Sequence, residues 1–405
     1  MALGSRAAGR LALVIVAGVA LAAGVVGAAA GAPVGKLRFV DAEFDGHGSV
    51  TGLQQAYGVA VSPDGKQVYA IGLSGGLTTF KRNRRGRLRF VRAQLNGQGG
   101  ITAMQSPTAV AVSRDGRNVY VTSTGVQSAV LTFKRKRRSG RLRFVNARID
   151  GQGGVEGIAD PCCQIAISPD GRNVYVPGTD SDAIATFRRK GRKGKLRFVN
   201  ARVDGQGGVS GLGEAIGVVT SSDGRNVYAI GEDDDALVTF KRSRKGKLRF
   251  VNAKVDGQGG VNGLAGPCCS LAISRDGRSV YVPADADQAV AIFRRKPKTG
   301  KLRFRGAKVE GVGGVSGMPG PLDVVVSRDG RSVYVASYDD PSAVVRFKRS
   351  KKGKLGFAGA IRETLPGIEG LDGAWRLALS PDGRNLYAAS FLEGALVTFK
   401  RRARR

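Results

Sequence analysis

The chain has 405 residues, with 65 Lys and Arg against 32 Asp and Glu, a formal net charge of +33 at pH 7. It contains one histidine and four cysteines. A single histidine argues against a multi-histidine metal site, and its place in a glycine-rich turn, as His47, argues against a His-based catalytic triad.

Residues 1–32 differ from the rest. Arg6 and Arg10 precede an Ala/Val/Leu/Gly stretch from Leu11 to Ala32. Ala28-Ala29-Ala30 fits the small-residue rule for cleavage, so the stretch reads as an export signal and the protein as secreted or associated with the cell envelope. The run is also long enough to span a bilayer, which leaves an uncleaved anchor open. Residues 33–405 read as a single domain, because no linker interrupts the pattern that follows.

That pattern is a unit of about 53 residues that recurs seven times. Each copy opens on Lys/Arg-Leu-x-Phe, starting at Lys36, Arg87, Arg141, Lys195, Lys247, Lys301 and Lys354. A Ser-Pro-Asp-Gly turn or a variant follows, with its serine at Ser62, Ser113, Ser168, Ser222, Ser274, Ser327 and Ser380. In the second copy Arg87–Leu95 alternates apolar and polar residues, as a half-buried strand does. Ala109–Val112 is a continuously apolar inner strand, and Asn118–Thr122 and Ala129–Lys134 complete a set of four. Short loops make consecutive strands antiparallel. The fold class is therefore all-β, a closed seven-bladed β-propeller with four antiparallel strands per blade. The chain begins on the outermost strand type, Lys36–Phe44, and ends after the third, Ala395–Lys400. Pairing these two, a 3+1 closure, leaves no open sheet edge.

We letter the strands of a blade A to D from the inside outwards. The AB and CD turns then share one face, and the BC loops and DA links share the other. The CD turns carry most of the basic excess, including Arg84, Arg85, Arg137, Arg138, Arg192, Lys193, Arg244 and Lys245, and the tail 400–405 adds to it. The BC loops carry Asp180, Asp182, Glu232–Asp235, Asp285, Asp287, Asp339 and Asp340. One face is thus basic and the other acidic. Either both are solvated turns, or the basic face docks on an anionic envelope polymer or lipid surface. Nucleic acid is not expected as a partner, because the basic loops lack aromatics for base stacking. A monomer is expected.

His47 stands in Asp45-Gly46-His47-Gly48, where other copies have Asp-Gly-Gln-Gly, and reads as a turn residue. Asp-Gly-Gln-Gly-Gly lacks the oxygen density of a calcium loop, and no metal or other cofactor is expected. Cys162-Cys163 and Cys268-Cys269 follow Pro161 and Pro267 at the same register, just ahead of an inner strand. Two vicinal disulfides are expected, since points two blades apart exceed the ~7 Å limit for a cross-bond. A ring of inner-strand positions, four residues before each turn serine, is Gly58, Ala109, Gln164, Val218, Ser270, Asp323 and Arg376. Asp323 and Arg376 belong to neighbouring blades and are expected to pair. With Trp375, Asp372 and Glu214 nearby, these residues mark either a buried structural salt bridge or a ligand pocket.

Ser168-Pro169-Asp170-Gly171-Arg172-Asn173-Val174-Tyr175-Val176, with Ala183–Phe187 and Gly194-Lys195-Leu196-Arg197-Phe198 behind it, resembles bacterial lactonase-like seven-bladed propellers. That group includes 6-phosphogluconolactonase-type and YVTN-repeat proteins, and the resemblance runs from Lys36 to Lys400. It implies hydrolysis of a sugar-acid lactone by polar channel residues, typically a histidine with acidic or arginine partners. No histidine falls at the channel here; Arg376, Asp323 and Glu214 are the local candidates for catalysis. The reading from residues is an exported binding or scaffold propeller with a basic face and a central pocket on the acidic one. The alternative is a lactone hydrolase using the polar channel residues, so whether the chain is an enzyme stays open.

Overall fold

The computed structural model describes residues 37–402; the expected export signal and the last residues of the basic tail lie outside them. The described residues form seven four-stranded antiparallel sheets and contain no helix. Strand A of a blade is inner and short, as in Ala56–Val61, and strand D is outer, as in Leu88–Leu95. The seventh sheet joins Ala374–Leu379, Asn385–Ser390 and Ala395–Arg401 to Leu37–Phe44 from the other end of the chain. Leu37 lies opposite Arg401 and Phe44 opposite Ala395, so the ring closes by pairing its first strand with its last.

The hydrophobic core lies between blades. One cluster joins Tyr120 and Val130 of the second blade to Val174, Val176 and Phe187 of the third. Within blades, the repeated phenylalanines of strands C and D meet edge to face, as Phe240 and Phe250 do with centroids 6.1 Å apart. This is why Phe recurs at fixed offsets: each ring fills the gap between one sheet and the next.

The structure corrects the reading of the basic turns. The last residue or two of each strand C includes an arginine that turns inward: Arg82, Arg135, Arg189, Arg242, Arg295, Arg349 and Arg401. Each reaches the turn aspartate of the preceding blade at 2.6 to 3.0 Å. In the fifth blade, Arg295 Nε donates to the Tyr228 hydroxyl at 2.7 Å, and Nη2 donates to Asp223 and to Asn226 Oδ1. Tyr228 in turn donates to the Gly300 carbonyl at 2.6 Å. Arg82 makes the same contacts to Tyr387 and Asp382, across the seam where the ring closes. Arg401, counted with the solvated tail, is buried and clasps Asp329. These charges hold blades together and do not face solvent.

A second correction concerns register in the fourth blade. Ser221, not Ser222, takes the turn position: its hydroxyl donates to Asp223 at 2.6 Å and accepts from the Asn226 N–H. The ring position is therefore Gly217, which lies opposite Ile230 as Gly58 lies opposite Ile71. Val218 is one residue out of step and buried in the packing between blades. Two adjacent serines made the offset ambiguous in sequence.

Candidate functional site

The A strands, with the turns just ahead of them in the third and fifth blades, converge on a cavity of about 200 Å³. Gly58, Ala109, Gln164, Ser270, Asp323 and Arg376 line it, with Thr108 and Cys163. Glu214, Asp372 and Trp375 do not. Asp372 stays on the rim, where it accepts from Ser342 Oγ at 3.2 Å. Glu214 sits in a turn with positive φ, its N–H donating to Asp182 at 2.7 Å.

Arg376 and Asp323 come together as expected, but not as a tight pair. Arg376 Nη1 is 4.0 Å from Asp323 Oδ1, beyond hydrogen-bond length. Arg376 is only 6% exposed and Asp323 4%. The carboxylate is held by the backbone: Val324 N–H donates to Oδ1 at 2.9 Å and Leu377 N–H to Oδ2 at 2.6 Å. Burial pushes the Asp323 pKa upward, while Arg376, Ser270 and the two backbone donors pull against it. Both Arg376 Nη1 and Nη2 are buried and bonded to nothing. Burial lowers the pKa of that guanidinium, but Cys269, Asp323, Tyr57 and Cys268 around it outweigh this and hold it above its ordinary value. A charged, desolvated donor pair beside a polar cavity is a site for an anion or a developing oxyanion.

Gln164 braces the opposite wall. Its Oε1 accepts from the Val218 and Leu271 N–H groups at 3.2 and 3.4 Å, and its Nε2 donates to the Leu271 carbonyl. It does this from a blade whose strand A is reduced to Ala166–Ile167. The cysteine turn before that strand causes the shortening, since Cys163 has φ 72° and Gln164 N–H bonds back to the Cys162 carbonyl.

Cys162 and Cys163 are joined in a disulfide. Cys268 and Cys269 are not, which corrects the second expected bridge. The backbone turn is the same, with Cys269 at φ 62° and Ser270 N–H bonded to the Cys268 carbonyl. Here, however, Cys268 N–H is tied to the Pro283 carbonyl. The neighbouring Cys269 and burial raise the Cys268 pKa. The Tyr57 hydroxyl lies 3.5 and 3.6 Å from the two disulfide sulfurs.

Sequence reasoning missed an aromatic cluster on the rim. Trp375 packs on Tyr57 at 4.8 Å, Tyr338 at 5.2 Å and Phe391 at 5.5 Å. Register would have found it: Tyr57 and Trp375 each precede a ring position, and Tyr338 and Phe391 each follow a strand B. Sequence reasoning placed Asp285 on the acidic face but not its environment, where burial and the charge of Asp339 raise its pKa to about 6. The other Asp-Gly turns behave as expected of turns: Asp150, Asp204 and Asp256 each cap a backbone N–H eight residues on. His47 lies in the equivalent exposed turn.

The eight proposed anion-contact residues, from Arg84 and Arg85 through Arg244 and Lys245, are all exposed in CD turns, and no salt bridge reaches any of them.

Residues 58–212 and 210–316 match the family described as lactonase, 7-bladed beta-propeller, which is more than half of the chain. The protein belongs to the lactonase seven-bladed β-propeller family. A 6-phosphogluconolactonase of Enterobacter sp. (strain 638) is 24% identical over 176 residues, covering 43% of this chain and 46% of that protein. The chain thus spans about half the length of the curated relatives it matches. Among solved structures, a candidate 6-phosphogluconolactonase from Bacteroides uniformis superposes with a TM-score of 0.64 at 20% identity, over 82% of this chain and 89% of that one. The periplasmic gluconolactonase of Pseudomonas aeruginosa gives 0.61 at 22% identity, over 78% and 90%. At these identities the likeness shows the lactonase-propeller fold. Within this lactonase-family chain, Asp323 and Arg376 fall after the matched residues, so their roles rest on geometry.

Proposed function

We propose that the protein hydrolyses a lactone, of the sugar-acid class, at the channel mouth. The observation that carries this is the buried Arg376 guanidinium, with two unbonded nitrogens, beside a polar cavity. Membership of a lactonase family and this unbonded donor pair favour hydrolysis over a binding or scaffold role. The lactone carbonyl oxygen accepts from Arg376 Nη1 and Nη2, which polarises the carbon. A water adds to that carbon as Asp323 takes its proton, and the negative charge that develops on oxygen stays on the guanidinium. The ring C–O bond then breaks, and Asp323 returns the proton to the leaving alkoxide. The product is a hydroxy acid, which loses its carboxyl proton to solvent and is held by Arg376 as a carboxylate. Burial moves the Asp323 pKa towards the working pH, as a general base requires. No cofactor is needed for these steps. The apolar stretch near the start of the chain, with the periplasmic neighbour, supports an exported enzyme.

The test is hydrolysis of a panel of sugar and small lactones, followed as acid release. Arg376→Ala should lower kcat by roughly 10²–10³, as loss of an oxyanion donor does. Asp323→Asn should also lower kcat, with KM less affected. A wild type inactive on the whole panel, or an Arg376→Ala variant with unchanged kcat, would overturn the assignment.

A further inference from the structure

We infer that the AB/CD face of the propeller docks on an anionic lipid bilayer. Among the described residues, the carboxylates of this face are the seven turn aspartates, and each is taken up by the inward arginine of the next blade. Asp41, farther along an outer strand, reaches only Arg87, at 3.9 Å. Apart from Arg87, the exposed cations of the face are therefore left without acidic partners.

Strand pairing aggravates this. Strands C and D place Lys81 opposite Arg89, Lys134 opposite Arg143, and Arg188 opposite Arg197. The same holds for Lys241 and Arg249, Arg294 and Arg303, and Lys400 and Arg38. All of these side chains are exposed. Like charges directly opposite one another destabilise a sheet. Repeating the arrangement in all blades but the sixth concentrates a repulsion that a bound polyanion would relieve.

The distribution selects the partner. The cations lie on every blade around the ring, so a planar surface meets all of them together, whereas a single linear chain meets a few. The large exposed apolar side chains Val126, Val312 and Leu392 lie on the opposite face. The attraction is thus electrostatic, with no apolar insertion and no aromatic for a base to stack on. Between the first two blades, Arg114 and Arg137 line a hollow of about 210 Å³ together with Asp64 and Asp115, whose charges Arg135 and Arg189 take up. Docked this way, the channel mouth with Arg376 faces away from the membrane and stays open.

The experiment is co-sedimentation of the full chain with phosphatidylcholine vesicles, with vesicles containing phosphatidylglycerol, and with duplex DNA as a soluble polyanion. Binding is expected to the phosphatidylglycerol vesicles alone, and to fall steeply as salt rises. Reversing Arg84, Arg85, Arg137 and Arg138 to Glu should weaken it at least about tenfold, while Asp233→Asn on the other face leaves it unchanged. Equal binding to neutral vesicles would assign the affinity to the apolar stretch near residue 11 and overturn the inference. So would tighter binding to DNA than to vesicles, or binding indifferent to the four reversals. None of these outcomes depends on lactone turnover.

Discussion

Arg376 is a buried cation whose two terminal nitrogens find no acceptor, and Asp323, the nearest anion, is occupied by two backbone N–H groups. Leaving such a group unbonded is costly, which is why we read it as poised for a ligand. Asp285 presents the opposite problem, a carboxylate that burial and Asp339 push up to about 6. Its folded pKa lies above the unfolded one, so the stability linked to it is complete below about 4 and is lost as pH rises through about 6. Asp285→Asn should therefore raise the melting temperature at pH 8 and leave it nearly unchanged at pH 4. Thermal melts at the two pH values check this, and an equal shift at both would mean that titration is not the cause. That Asp323 would meet Arg376 was legible in sequence, because one register applied to two adjacent blades places them side by side. The free state of the guanidinium was not, because it depends on what backbone groups do to the carboxylate.

The element that recurs is the clasp between blades: arginine to turn aspartate, joined in six of the seven by a bond to tyrosine and in most by one to asparagine, glutamine or serine. Breaking it in the middle strands the rest. Arg295→Ala should cost about 2–4 kcal/mol, since Tyr228 and Asn226 are buried, though partial exposure of Asp223 screens its share. Tyr228→Phe removes one donor and should cost about 1–3 kcal/mol. Chemical denaturation measures both, and losses below half a kcal/mol would show that the clasps are ornamental. Their titration brackets the stable range. The Asp170 and Asp329 pKa values are lowered to about 2: burial opposes this, but the serine and arginine hydrogen bonds prevail. Their contribution is present above the unfolded value near 4 and is lost as pH falls through about 2. Tyr69, Tyr120, Tyr175, Tyr228 and Tyr387 are raised to about 12 by burial, so their contribution is complete below pH 10 and is lost as pH rises through about 12. Glycine marks where the clasp is tight. Gly246 has φ 91°, and a Cβ there would come within 2.1 Å of Asn173, so no larger residue fits without moving the turn.

At the scale of the ring, closure rests on Leu37–Phe44 completing the seventh sheet and on Arg82 bridging the seam to Asp382. Deleting Leu37–Phe44 should expose the edge of Ala395–Arg401 and promote aggregation, as light scattering would show. A deletion variant that stays monomeric and equally stable would mean that the Arg82 seam suffices. The number of blades, their four strands and this closure were all readable from the chain. Periodicity of apolar residues and turn chemistry are local properties, and seven repeats of them leave few ways to bury the faces. Tertiary structure alone decided the rest. The arginines of the CD turns look alike in sequence, yet those that end strand C turn inward and the next ones turn out, because only the former stand opposite a neighbour's tyrosine. Likewise, two cysteine pairs share one backbone turn, yet only Cys162 and Cys163 are bonded and only Cys268 N–H is tied to its own strand B. Which charge is buried depends on the side chain that a neighbouring blade brings to meet it, and that meeting is encoded nowhere in the local pattern.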